Sequence, residues 1–73
     1  MYYVYVLLSK KDSKFYIGLT KDLKARFESH KNGCVKSTKE RRPLKLIYYE
    51  AGLNKKDAEA EKNILKHIMV SNF

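Results

Sequence analysis

The sequence predicts an α+β fold, a small three-stranded antiparallel sheet flanked by helices in the order β-β-α-β-α. Three observations carry that reading. Two β-prone apolar segments flank a short polar turn. A helical pattern follows, opened by capping residues and closed by glycine. A further strand-and-helix pair then completes the chain. The 73 residues make one domain, residues 1–73. A chain this short buries only about 60% of the surface that its unfolded form exposes. Its core must therefore be built from aromatic and branched side chains.

Residues 2–8 are almost wholly apolar or aromatic and read as a strand. Tyr3, Tyr5 and Leu7 fall on one face and Val4, Val6 and Leu8 on the other, since strand side chains alternate. Both faces are apolar, which predicts a strand covered on both sides. Residues 9–13 (SKKDS) form a polar turn, and residues 15–19 return as the second arm of a hairpin. Thr20 is the expected N-cap of a helix reaching about Asn32, with Asp22 in its first turn and Gly33 as its stop. Leu23 and Phe27 supply the buried stripe, flanked by Arg26 and His30 four residues apart. Residues 35–43 (VKSTKERRP) are a polar, basic connection. Residues 44–50 form a third strand, residues 52–54 a turn, and residues 55–69 a second helix.

Composition narrows the function. Sixteen Lys and Arg against eight acids leave a formal charge of +8, which suits a polyanionic partner bound with strong salt dependence. A lone cysteine, Cys34, and two separated histidines cannot assemble a zinc site. The chain shows no secretory leader, long apolar run or lipidation motif, so a cytoplasmic protein that does not engage a membrane is expected.

Tyr5 and Tyr16 stand on paired strands, and the helix after Tyr16 offers Arg26 and His30 from one side. Two phenols, a guanidinium and an imidazole suit phosphodiester hydrolysis. That reaction needs a proton acceptor for water, cations for the charge that builds on phosphate, and an acid or metal at the leaving oxygen. Arginine supplies the bidentate fork that lysine lacks. Each residue also has an ordinary reading. A strand tyrosine packs, an exposed arginine pairs with Asp22, and a histidine near a helix C-terminus is favoured by the dipole. Their joint arrangement favours chemistry.

Val4-Tyr5-Val6 followed by Tyr16-Ile17-Gly18 resembles the paired motif of the GIY-YIG endonuclease superfamily. The second triplet matches fully, and the first keeps its central tyrosine. Lys21-Asp22-Leu23, Arg26 and His30 follow at the family's spacing. The resemblance spans nearly the whole chain and is closest to the small single-domain bacterial branch, which is similar to an excinuclease's N-terminal nuclease domain. It implies Tyr5 and Tyr16 lining the site, with Tyr16 as general base or water-orienting group. It implies Arg26 on the phosphate charge and His30 in proton transfer or phosphate holding. A glutamate of the second helix would hold one divalent ion, Mg²⁺ or Mn²⁺. An ungapped match puts Lys62 at that glutamate's place, and a one-residue deletion restores Glu61. Glu61 is the expected metal ligand, with Glu59 as understudy. Lys21, Lys36, Lys39, Arg41 and Arg42 are the expected nucleic-acid contacts.

The resulting expectation is a divalent-metal-dependent endonuclease acting on DNA rather than RNA, of a structure-specific repair or recombination type. It leaves room for a protein partner that supplies substrate recognition. The alternative is a catalytically weak or inactive nucleic-acid-binding module that keeps the fold. A third reading uses the tyrosines as stacking platforms for RNA. The place of Glu61 relative to Tyr16 and Arg26 separates the first two.

Overall fold

The computed structural model describes residues 1–70. The elements follow the expected order: β1 (Tyr2–Ser9), β2 (Phe15–Thr20), α1 (Leu23–Lys31), a 3₁₀ turn (Lys39–Arg41), β3 (Leu44–Leu53) and α2 (Lys55–Val70). The strands form one antiparallel sheet in the order β2-β1-β3. The doubly apolar β1 therefore lies at the centre, as its sequence requires.

Each face of β1 has its own cover. Val4 and Val6 join Ile17 and Ala58 in the core beneath α2, with Phe15, Leu19, Leu65 and Met69 packed around them. Ala58 is fully buried, and its small side chain lets α2 approach the sheet closely. On the other face Tyr5 and Leu7 are buried beneath α1 and the loop after it, which contributes His30, Val35 and Thr38.

The β1–β2 turn is tied by Ser9. Its hydroxyl accepts from the backbone N–H groups of Lys11 and Asp12 and donates to the Arg41 carbonyl at 2.6 Å. Arg41 completes the tie. Its Nε donates to Asp12 Oδ2 at 3.2 Å, and its terminal nitrogen donates to the Phe15 carbonyl at 3.3 Å. The basic connection is thereby anchored to the first hairpin.

Three local details depart from the sequence expectation. Thr20 ends β2, and the helix cap is Asp22, whose carboxylate accepts from the Ala25 N–H at 3.1 Å. Thr20 remains extended because it pairs with Tyr3. β3 runs on to Leu53, so Gly52, at φ +85°, lies inside the strand rather than in a following turn. Its pairing with β1 also slips between Val6 and Leu7, which face Tyr48 and Leu46. Ile47 is the extra residue of that bulge. Leu46 and Tyr49 consequently share the α1 face, whereas Tyr48 and Glu50 share the α2 face.

Candidate active site

Tyr5 and Tyr16 lie on the same face of the sheet, with ring centroids 6.4 Å apart. The register makes this possible, because Leu7 faces Tyr16 and Tyr5 faces Gly18. A Cβ on Gly18 would overlap the Tyr5 ring at Cζ and the hydroxyl. Glycine is therefore the residue that lets the Tyr5 phenol lie flat across β2.

His30 closes the cluster from α1. Its ring stands 5.6 Å from that of Tyr5 and 5.1 Å from that of Tyr16, edge-on to both. Nε2 is 2.8 Å from the Tyr5 hydroxyl, and Nδ1 is 2.7 Å from Thr38 Oγ1. His30 and Thr38 are fully buried, and Tyr5 is 1% exposed. Desolvation, reinforced by the Arg26 charge, pulls the His30 pKa down to about 4. The imidazole is neutral at pH 7.

Arg26 lies over this buried layer and is itself exposed. Its guanidinium interacts first with the Tyr5 hydroxyl and then with Tyr16, and these contacts raise its pKa. Burial outweighs the guanidinium at Tyr5, whose pKa is also raised, so the phenol stays protonated. The guanidinium thus sits beside a buried chain in which Tyr5, His30 and Thr38 are joined by two hydrogen bonds, the histidine tautomer setting which end donates. Thr38 was missed in the sequence, where it is one polar residue in a basic loop with no period to mark it.

The second helix divides its charges between two sides. Lys62 and Lys66 line a cleft with Phe15, Tyr16 and Ile17 of β2. On β3, Tyr48 donates to Glu50 at 2.8 Å, and that bond is the main reason the Tyr48 pKa is raised, with the Glu61 charge a lesser contributor; Glu61 does not line the cleft beside Tyr16. One helical position is about 100° of rotation, enough to carry adjacent residues to different strands. Glu59 is exposed. Among the described residues, no group of three or more His, Cys, Asp or Glu could hold a metal ion.

The expected nucleic-acid contacts are similarly sorted. Lys36, Lys39 and Arg42 are exposed, and the Lys21 ammonium stands 5.3 Å from the centroid of the Tyr2 ring. Arg41 is occupied by Asp12 and Phe15, as described above. No helix among the described residues is long and apolar enough to cross a membrane.

The fold and site are those of a small three-stranded α+β domain with two neighbouring tyrosines and an overlying arginine. The GIY-YIG catalytic domain model matches residues 1–68. A UPF0213 protein of Clostridium perfringens is 41% identical over 69 residues, covering 93% of this chain and 73% of its own length. UPF0213 proteins of Lacticaseibacillus paracasei (43% over 67 residues; 90% and 74% covered) and Limosilactobacillus reuteri (41% over 69; 90% and 71%) are similar to it as well. No solved structure matches. The chain belongs to the GIY-YIG nuclease family.

Proposed function

We propose that this protein binds DNA through its sugar–phosphate backbone at the Tyr16–Arg26 corner, and that its hydrolytic step is weak or lost. The carrying observation is the pair of lysines, Lys62 and Lys66, that line the cleft beside Tyr16. GIY-YIG nucleases generally use divalent metals, and a dication needs carboxylate or other oxygen donors there. Lys62 and Lys66 instead oppose a second positive charge, and Glu61 does not line that cleft. This donor set does not fit Mg²⁺ or Mn²⁺ at Tyr16.

The remaining residues still suit a phosphate. Arg26 offers an exposed planar fork above a layer of protonated phenol and neutral imidazole, neither of which repels an anion. Tyr16 is half-buried and borders the cleft, so it is the phenol that meets substrate. Tyr5 and His30 act from beneath as positioning residues, holding the Arg26 fork in place. Lys62 and Lys66 give a further cationic contact on the far side of Tyr16.

A second reading, a divalent-metal-dependent endonuclease, is favoured by the convergence of Tyr5, Tyr16, Arg26 and His30 in the family's arrangement. One experiment separates the two. Labelled DNA and RNA substrates are incubated with Mg²⁺, Mn²⁺ or EDTA, beside Tyr16→Phe and Glu61→Ala. Salt-sensitive binding to DNA without metal-dependent cutting supports the first reading. Metal-dependent cutting abolished by both substitutions establishes the second.

A further inference from the structure

The sheet face that carries Tyr5 is only partly closed by the nine-residue helix α1. Along the seam between α1 and β3, two concavities meet at Phe27. The first is walled by Tyr3, Leu46 and Tyr49, and the second by Pro43 and Leu44. Six of the lining residues are Lys or Arg and two are acidic. One of those acids, Asp22, is engaged in capping α1. The trough thus has an aromatic floor and a cationic rim.

Its position follows from the bulge in β3. Tyr49 is the register partner of Tyr5, so the trough begins one strand away from the Tyr5–Arg26 corner. Lys24, Phe27 and Lys31 lie at helical spacings of three and four, which turns all three towards the seam. Tyr49 remains 55% exposed, a large aromatic face left to water on a sheet surface.

We propose that this trough holds a segment of single-stranded DNA, with bases stacked on Tyr49 and Tyr3 and phosphates along Lys24, Lys31 and Arg42. Aromatic platforms interleaved with cations bind single strands with little sequence preference, because every base has a π-face. The identity of the polymer as DNA rests on the reading of the Tyr16–Arg26 corner given above; the stacking geometry does not. Tyr49 pairs with Tyr5, so the trough and the Arg26 corner flank neighbouring strands and one molecule can occupy both. The substrate class is then DNA with an unpaired stretch beside the phosphate that Arg26 holds.

The test uses the whole chain and its own tyrosine emission, since the protein has six Tyr and no Trp. A thymidine oligonucleotide, its duplex and a uridine oligonucleotide are titrated, reading tyrosine quenching and anisotropy. The single DNA strand should quench and should bind more tightly than the duplex. Tyr49→Ala should weaken it at least about fivefold while Tyr49→Phe retains it. Lys24→Gln with Lys31→Gln should lower the salt slope by roughly 1.4. Equal affinity for duplex, equal affinity for RNA, or indifference to Tyr49→Ala in a variant with wild-type circular dichroism overturns the proposal. Arg26→Ala keeps the two readings apart. Loss of binding in Arg26→Ala but not in Tyr49→Ala defeats the trough alone. The reverse pattern defeats the Arg26 corner and leaves the trough standing.

Discussion

The Tyr5 hydroxyl and His30 Nε2 stand 2.8 Å apart with both side chains sealed from solvent, joining the central strand to the first helix across 25 residues of sequence. Hydrogen bonds of this kind matter less for their net strength, about 1 kcal/mol, than for the penalty of leaving either buried partner unpaired. The pair fixes the height of α1 above the sheet and with it the Arg26 fork. His30 is thus a buried structural member of the cluster, in contact with Tyr5 and Thr38.

Its titration should be visible in stability. The folded pKa of His30 is about 4 against an ordinary 6.5. The neutral ring is favoured in the folded state, so the stabilisation is complete above about pH 6.5 and is lost as pH falls towards 4. Over that interval the unfolded chain binds the extra proton, and stability should decline by up to about 1.4 kcal/mol per pH unit. Urea midpoints of wild type and His30→Gln across pH 4–7 check this. The variant, which keeps hydrogen-bonding capacity without a titrating ring, should give the flatter profile.

Gly18 should be intolerant of any side chain. Its Cβ would occupy the space of the Tyr5 phenol, which is itself pinned by His30. Gly18→Ala is expected to lower stability by at least about 2 kcal/mol through overpacking. Thermal unfolding measures it, and a wild-type midpoint would mean that Tyr5 has another place to go.

Arg41 and Arg42 are neighbours with different duties. Arg41 ties Asp12 and the Phe15 carbonyl, whereas Arg42 reaches the seam beside α1. Arg41→Gln should reduce stability by about 1 kcal/mol and change DNA affinity little. Arg42→Gln, which loses only the bond from Nε to the Lys39 carbonyl, should reduce affinity and the salt slope at a smaller cost in stability. Equal effects of both on binding would restore Arg41 to the nucleic-acid surface.

Arg26→Ala should weaken DNA binding by roughly tenfold at an intact fold, the scale of losing a charged hydrogen-bond donor. Arg26→Lys should recover only part of that, because a point charge lacks the fork. Anisotropy at fixed ionic strength reads both.

Lys62→Glu places a carboxylate in the cleft beside Tyr16 and removes one of the two lysines that line it. Calorimetric titration should show Mn²⁺ binding to this variant and none to wild type. Metal binding to wild type that is abolished by Glu61→Ala would instead show that Glu61 reaches the site.

The element order, the double burial of β1 and the nearness of Tyr5 to Tyr16 were legible because they depend on local period and on one short hairpin. Period two assigns each strand residue to a face, and a tight turn leaves few choices of register. The helix start was off by two residues, since Thr20 and Asp22 are both good caps and strand pairing with Tyr3 decided between them.

By itself, the sequence determined the chemistry available on one face of the sheet: two phenols, a guanidinium and an imidazole at compatible spacings. Only the tertiary structure decided which of them reach the surface. Burial separated Tyr5 and His30 from Tyr16 and Arg26, and Thr38 entered from a loop with no sequence signal at all. The orientation of α2 placed Lys62, and not Glu61, in the lining of the cleft beside Tyr16. The bulge at Ile47 put Tyr49 rather than Tyr48 on the α1 face. The last two are each a rotation or slip of one residue, which leaves local pattern almost unchanged. The choice is made by what packs against the far side.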